Sequence, residues 1–291
     1  MENKKLMLIG LLRALRPKDW IKNVVVFVAL VFSDKFLDAA SVLQSLIAFV
    51  LFCMMSSSTY ILNDLADLEE DRKNPKKAKR PLASGLINPA QALCAALCLA
   101  AVGLGLGFWL DTLLGVVLAS YWVANLFYSF SLKRLIILDV MLIALGFVLR
   151  AIGGAVVLHV RVSPWLVITT MFLALFLALS KRKAELIQLG EEAQQARGVL
   201  QGYSRSLLDQ LILITVTSTI LSYALYSFDS PHSPYMLWTV PFVIYGLFRY
   251  MYLTEAKGLG EQLTDALLKD WPLIIAGFLW GLSVLGILIY F

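Results

Sequence analysis

Residues 41–71 read SVLQSLIAFVLFCMMSSSTYILNDLADLEED. From Ser41 to Leu62 no side chain carries a charge. As an α-helix at about 1.5 Å per residue, a stretch of this length crosses the roughly 30 Å hydrocarbon core of a bilayer. Five carboxylates then crowd into residues 64–71. The switch places a membrane surface near Asn63 and an acidic cluster where the chain leaves lipid. A lone strand would leave its backbone groups unpaired in lipid, so the segment reads as a helix.

Outward from that stretch the pattern repeats. Apolar segments near residues 23–37, 41–62, 90–110, 112–130, 137–157, 164–180, 208–227, 234–253 and 271–290 read as nine membrane-spanning helices in one integral domain, residues 1–291. The first is short, and so tilted or partly re-entrant. The expected fold class is all-α, a polytopic membrane protein. Composition agrees: 59% of the 291 residues are hydrophobic and 15% charged, where about 45–50% and 25% are usual. Mean hydropathy is +0.78. These values exclude a soluble globule, a secreted disulfide scaffold and a disordered chain.

The positive charges give an independent test of the layout. Of 25 Lys and Arg, 22 fall in residues 1–22, 63–89, 131–136, 181–207 and 249–270, all on one side of a nine-span arrangement. The opposite side holds only Lys35 and Arg161, and Arg150 lies inside a span. The positive-inside rule then predicts a cytoplasmic N-terminus, an outside C-terminus and insertion in the cytoplasmic (inner) membrane. The net charge of +5 follows from topology and needs no nucleic-acid partner. No cleavable signal is evident: Leu6–Leu12 is short and is followed by Arg13, Arg16 and Lys18. Residues 3–16 read as an amphipathic interfacial helix.

Several polar residues inside spans need weighing. Cys53, Cys94 and Cys98 fit packing roles. His159 and His232 lie in or near outside loops, far from the charged segments, and neither is given a catalytic role. Asp139 and Arg150 are about three helical turns apart on one face of the fifth span, where ion pairing with other residues and substrate contact both stay open. Trp20, Tyr60, Trp122 and Tyr128 read as interfacial anchors or cavity walls.

The segment that carries chemistry is residues 60–88, YILNDLADLEEDRKNPKKAKRPLASGLIN. On a helix continuing from the second span, Asp64, Asp67 and Asp71 are three and four apart and share one face, as do Asn63 and Asp67. Carboxylates so placed repel each other unless a cation lies among them, and Mg²⁺ is the natural candidate because hard cations take oxygen ligands. Lys73, Lys76, Lys77, Lys79 and Arg80 follow, and Asn74-Pro75 and Arg80-Pro81 break the helix, so this basic stretch can fold back over the acids. Acids for a metal beside bases for the anion that the metal bridges suit a diphosphate. The bland alternative is a solvated loop whose bases merely set topology.

At these residues the sequence resembles a known family. Asn63-Asp64-x-x-Asp67-x-x-x-Asp71, followed by Asn74-Pro75-x-Lys77-x-x-Arg80-Pro81-Leu82-Ala83-x-Gly85, is similar to the first aspartate-rich motif of the UbiA superfamily of intramembrane prenyltransferases. Further likeness lies in Arg16-Pro17-x-x-Trp20-x-Lys22-Asn23, in Tyr128-Ser129-Phe130-x-Leu132-Lys133 and in Leu149-Arg150-Ala151-Ile152-x-Gly154. The resemblance implies a nine-helix bundle whose active-site cavity opens toward the cytoplasm. Where the superfamily carries a second aspartate-rich motif, this chain has Ser180-Lys181-Arg182-Lys183-Ala184-Glu185-Leu186. That departure, with Gly258-Leu259-x-Glu261-x-x-x-Asp265-x-x-Leu268-x-Asp270, resembles the decaprenyl-phosphate phosphoribosyltransferase branch.

The resemblance implies transfer of 5-phosphoribose from phosphoribosyl pyrophosphate to a polyprenyl phosphate, with release of diphosphate, for arabinan precursors of the cell envelope. It implies Mg²⁺ on Asp64, Asp67 and Asp71, with donor contacts from Lys22, Asn23, Asn63, Lys77, Arg80 and Lys133. Lys181, Arg182 and Lys183 would receive the 5-phosphate, although one helix end cannot aim all three inward, and Glu185 would bind a metal or a ribose hydroxyl or else sit at a helix surface. The acceptor phosphate is already anionic, which suits a chain offering no catalytic His or activated Ser. Two alternatives stay open. One is a conventional prenyltransferase acting on a prenyl diphosphate and an aromatic acceptor. The other is an anionic-lipid transporter, against which stands the lack of a clear internal repeat. Monomer and oligomer are both compatible with the sequence.

Overall fold

The computed structural model describes residues 9–75, 77–189, 198–232, 234–257 and 270–291. Among the described residues every regular element is helical. The long helices are α1 (Ala39–Ala66), α2 (Pro89–Leu110), α3 (Thr112–Phe130), α4 (Leu138–Val157), α5 (Pro164–Leu189), α6 (Arg205–Asp229), α7 (Val240–Lys257) and α8 (Trp271–Tyr290). A 3₁₀ turn over Tyr235–Thr239 leads into α7. Eight helices among the described residues are long and apolar enough to cross a membrane, which makes the chain a multi-pass membrane protein.

The eight fall one short of the nine expected, and the difference lies at the first span. In place of a helix near 23–37, a 3₁₀ helix runs over Pro17–Phe27 and continues as a short α-helix, Val28–Phe32. Ile21, Val24, Val25 and Val26 crowd an α-helical turn with β-branched side chains. At about 2.0 Å per 3₁₀ residue and 1.5 Å per α residue, Pro17–Phe32 extends roughly 30 Å, the thickness of a hydrocarbon core. Residues 9–14 are helical, whereas residues 3–8 of the expected interfacial helix lie outside the described residues. So do residues 190–197, with Glu191, Glu192 and Arg197, and residues 258–269, with Gly258, Glu261 and Asp265.

Helix starts follow from local chemistry. Asp38, Asp111, Ser204 and Asp270 each accept a hydrogen bond from a backbone N–H in the first turn of the helix they precede. Before α2, the Asn88 side chain accepts from the Ala90 N–H, while the Gln91 side chain accepts from the Asn88 N–H.

Two compact units divide the chain: residues 1–133 with 149–161, and residues 134–148 with 162–291. In the first unit α1, α2 and α3 pack on one another. The end of α4 comes close enough that a Cβ on Gly154 would lie 2.0 Å from the Val26 carbonyl oxygen. Ala14, Ile61, Leu62, Leu82, Ile87, Ala92 and Ala96 form an apolar cluster beneath the cytoplasm-predicted end of α1. In the second unit α5 packs along α6, and α7 against α8. Its core includes Phe176, Leu179, Tyr203, Leu208, Ile212, Tyr250 and Leu253.

Candidate active site

In the first unit, α1 carries Asn63 and Asp64 in its last turn, and Asp67 caps it. The sequence predicts an uninterrupted helix through Asp71. The structure breaks it for one residue at Asp67 and resumes as a short helix, Leu68–Lys73. The i to i+4 bonds survive the break: the Asp67 N–H donates to the Asn63 carbonyl at 3.0 Å, and the Asp71 N–H to the Asp67 carbonyl at 2.8 Å. Asp64 and Asp71 are therefore both carried inward, 3% and 1% exposed.

The chain then turns back. The Asn74 carbonyl accepts from the N–H groups of Lys77 and Ala78 at 3.0 and 2.8 Å, and Lys77's carbonyl accepts from the Arg80 N–H at 2.9 Å. Gly85 supplies a left-handed turn, φ 77°. Leu82 and Ile87 plug into the apolar cluster on either side of it and fix the loop. Arg80, held just before Leu82, donates from Nη1 to Asp64 Oδ1 at 3.0 Å and to Asp71 Oδ2 at 2.6 Å.

Four more cations lie around the arrangement. Arg16, itself in a left-handed conformation ahead of Pro17, donates to the same Asp64 oxygen. Lys133 pairs with Asp67 and lies 3.4 Å from Asn63 Oδ1. Lys77 Nζ lies 3.6 Å from Asp71 Oδ1, beyond hydrogen-bonding reach, and that buried oxygen has no hydrogen bond. Lys22 pairs with Asp19 at 2.7 Å and sits 5.7 Å from the centre of the Tyr60 ring, over which Arg16 also lies. A buried carboxylate is costly unless paired. Here Asp64, Asp67 and Asp71 face Arg16, Lys77, Arg80 and Lys133, so every carboxylate is answered and the cluster carries a small positive excess.

The donor set fits a hard divalent cation in chemistry: it is anionic, made of oxygen, and includes one buried oxygen without a hydrogen bond. In this conformation the carboxylates face side-chain cations, and among the described residues no group of three metal-ligating side chains converges.

Asn23, expected among the donor contacts, is fully buried elsewhere in the same unit. Its Nδ2 donates to Ser56 Oγ and Cys53 Sγ, both at 3.2 Å, and its Oδ1 accepts from Arg150 Nε at 2.6 Å. Arg150 also donates to Tyr121 Oη at 2.7 Å. With Trp20 Nε1 on Ser57 Oγ, and Ser57 Oγ on the Leu15 carbonyl, these bonds hold the 3₁₀ segment whose start carries Arg16.

The second unit contains another acid–base cluster. Asp139 and Arg182 are 0% and 2% exposed, and Arg182 Nε donates to Asp139 Oδ2 at 2.8 Å. Arg182 Nη1 reaches Glu185 Oε2 at 2.7 Å. Tyr203 Oη donates to Asp139 Oδ1 at 2.7 Å and accepts from the Ile137 N–H at 2.8 Å. Burial, then the bond to Asp139, pushes the Tyr203 phenol up to about 12. Lys183 pairs with Asp209 at 2.7 Å and with Glu255. Lys181 is half exposed, 3.9 Å from Glu185. Of the three cations expected to receive a phosphate, Arg182 is thus enclosed between two carboxylates and Lys183 is tied to two more.

Arg16 is the functional residue that the sequence does not single out; its signal is a cation directly before Pro17 at a predicted membrane surface. The Asp139–Arg182 pair had a signal as well, an acid at the start of the fifth span and a base just past the end of the sixth.

Membrane-crossing helices with acids and arginines gathered at a helix end define the class, a polytopic membrane protein with a charged site. Residues 24–262 match the model of the UbiA prenyltransferase family, and the chain belongs to that family. A decaprenyl-phosphate phosphoribosyltransferase from Mycolicibacterium smegmatis is 34% identical over 298 residues, spanning 97% of this chain and 93% of its own length. One from Corynebacterium glutamicum is 33% identical over 281 residues, spanning 93% of this chain and 84% of its own. The structure of a UbiA homologue from Archaeoglobus fulgidus bound to GPP and Mg²⁺ superposes with a TM-score of 0.72 at 18% identity, covering 96% of this chain and 99% of that one. At that identity the likeness establishes the fold.

Proposed function

We propose that the chain transfers 5-phosphoribose from phosphoribosyl pyrophosphate to the phosphate of a polyprenyl phosphate and releases diphosphate. The names of the mycobacterial and corynebacterial relatives support the substrates. The observation that carries the chemistry is Arg80 bridging two buried carboxylates, Asp64 and Asp71, with Arg16 on the first. Anion-binding and cation-binding groups there share one small volume, as a metal diphosphate requires.

In this reading Asp64, Asp67 and Asp71 would hold Mg²⁺, which when bound neutralises charge on the diphosphate. Arg16, Arg80 and Lys77 contact the diphosphate, with Lys133 and Asn63 orienting Asp67. The C1–oxygen bond to the diphosphate breaks and its electron pair leaves with that group, so negative charge grows where the guanidinium groups lie. Their attraction is greatest in the transition state. An oxygen of the acceptor phosphate forms the new bond to C1, and no proton needs to be removed. The N-terminus and the acid–base loop lie on the cytoplasmic side of the inner membrane, where the phosphorylated donor is made. The polyprenyl tail stays in lipid.

The test supplies membranes carrying the protein with labelled phosphoribosyl pyrophosphate and polyprenyl phosphate, and in parallel with labelled prenyl diphosphate and an aromatic acceptor. The proposal expects label in the lipid phosphate in the first case alone. Prenyl transfer without phosphoribosyl transfer would replace it by the conventional reaction of the family.

A further inference from the structure

The carboxylates around Asp64 are all answered by cations before any metal arrives, with Lys77 a further cation 3.6 Å from Asp71. Asp64, Asp67 and Asp71 bring three negative charges, and Arg16, Arg80 and Lys133 answer them through direct contacts. Arg80 bridges two of the carboxylates, with one nitrogen on oxygens of two different buried aspartates. A free ion entering this site would add to an existing excess of positive charge, or would have to displace a guanidinium group from a buried carboxylate. Both are costly. An ion that arrives bearing a diphosphate changes the balance, because the diphosphate is more negative than the ion is positive and offers Arg16 and Arg80 new acceptors with bidentate geometry.

Exposure makes this exchange possible. The side chains of Arg16 and Arg80 are each 26% exposed, while the carboxylates they cover are 4% and 1% exposed. The guanidinium groups can swing outward while the acids stay in place. Asp71 Oδ1, buried and without a hydrogen bond, has only the Lys77 ammonium at 3.6 Å as a charged neighbour in the present conformation.

From this geometry we infer that Arg16 and Arg80 are specificity-determining residues: they close the aspartates to free divalent ion and open them to the ion complexed with a diphosphate. The inference rests on the reading of the cluster as a diphosphate site, and it adds that metal and diphosphate bind with strong mutual dependence. It carries an unusual consequence. Removing a positive charge at Arg16 or Arg80 raises affinity for the metal alone while lowering affinity for the diphosphate.

The test measures Mn²⁺ binding by electron paramagnetic resonance to the full chain in detergent, with and without inorganic diphosphate, free and diphosphate-complexed ion being separated by dialysis against matched buffer. In the unaltered protein, diphosphate should tighten retention of Mn²⁺ at least about tenfold. Arg80→Gln and Arg16→Gln should each bind Mn²⁺ alone about tenfold more tightly than the unaltered protein, with the coupling to diphosphate reduced. If Arg80→Gln fails to fold, Arg16→Gln decides, since Arg80 then still compensates Asp64 and Asp71. Equal Mn²⁺ affinity with and without diphosphate, or weaker Mn²⁺ binding in the Gln variants, would overturn the inference. Phosphoribosyl transfer by the same preparation separates the two claims. Transfer without coupling sinks the exchange alone, and coupling without transfer sinks the donor assignment alone.

Discussion

Two clusters in this chain use the same chemistry, aspartate against arginine, and differ in how the arginine is enclosed. In the first unit Arg16 and Arg80 lie over Asp64 and Asp71 with about a quarter of their side chains reachable. In the second, Arg182 is sealed between Asp139 and Glu185, with Tyr203 closing the far side of Asp139. A partly exposed guanidinium can trade one anion for another at small cost. A sealed one cannot, because Arg182, 2% exposed, has no open edge at which to meet a new anion. On the proposed function, ligand exchange then belongs to the first cluster and a fixed structural role to the second.

The largest expected effect probes the first cluster. Asp64→Asn or Asp67→Asn should lower transfer roughly 10²- to 10³-fold or more, with the fold retained by circular dichroism and thermal unfolding in detergent. Breaking the second cluster should act on stability. Arg182→Met leaves Asp139 buried without its guanidinium and should cost about 3–5 kcal/mol, read as a fall in melting temperature. A variant that melts like the unaltered protein would remove the distinction between the clusters.

Smaller effects sharpen it. Arg150→Met unhooks Asn23 and loosens the segment behind Arg16, so the donor KM should rise several-fold while kcat changes little, and Arg150→Lys should restore part of it. A kcat loss at unchanged KM would place Arg150 in the chemistry. Tyr203→Phe deletes one bond to Asp139 and should cost about 1–3 kcal/mol. The Tyr203 phenol is raised in the fold to about 12 from an ordinary value of 10.0, so its contribution is complete below pH 10 and lost as pH rises toward 12. The alkaline loss of stability in that window should be shallower in Tyr203→Phe.

Much of this was legible in the sequence because lipid leaves few options. Uncharged runs of sufficient length had to be helices, and α2, α3 and α8 begin and end within a residue of where hydropathy changes. The 3–4 spacing of Asp64, Asp67 and Asp71 put them on one face, and the proline breaks after Asn74 and Arg80 allowed the return of the basic loop. The entry segment was less legible, since hydropathy does not register a 3₁₀ rise enforced by Arg16-Pro17 and a β-branched run. Pairing across distant segments was harder still. Arg182 looked like an anion site when read with its neighbours Lys181 and Lys183, and only the fold brings Asp139, 43 residues earlier, against it. Asn23 sits beside Lys22 in sequence, yet its neighbour in space is Arg150.

The most direct test compares Arg80→Gln with Arg182→Gln for labelled phosphoribosyl transfer to polyprenyl phosphate, expressed per folded molecule. The account predicts that Arg80→Gln folds and loses most of its transfer, while Arg182→Gln loses much of its stability and its folded fraction keeps working. An Arg182→Gln protein that folds normally and cannot transfer, beside an Arg80→Gln protein that transfers normally, would contradict it.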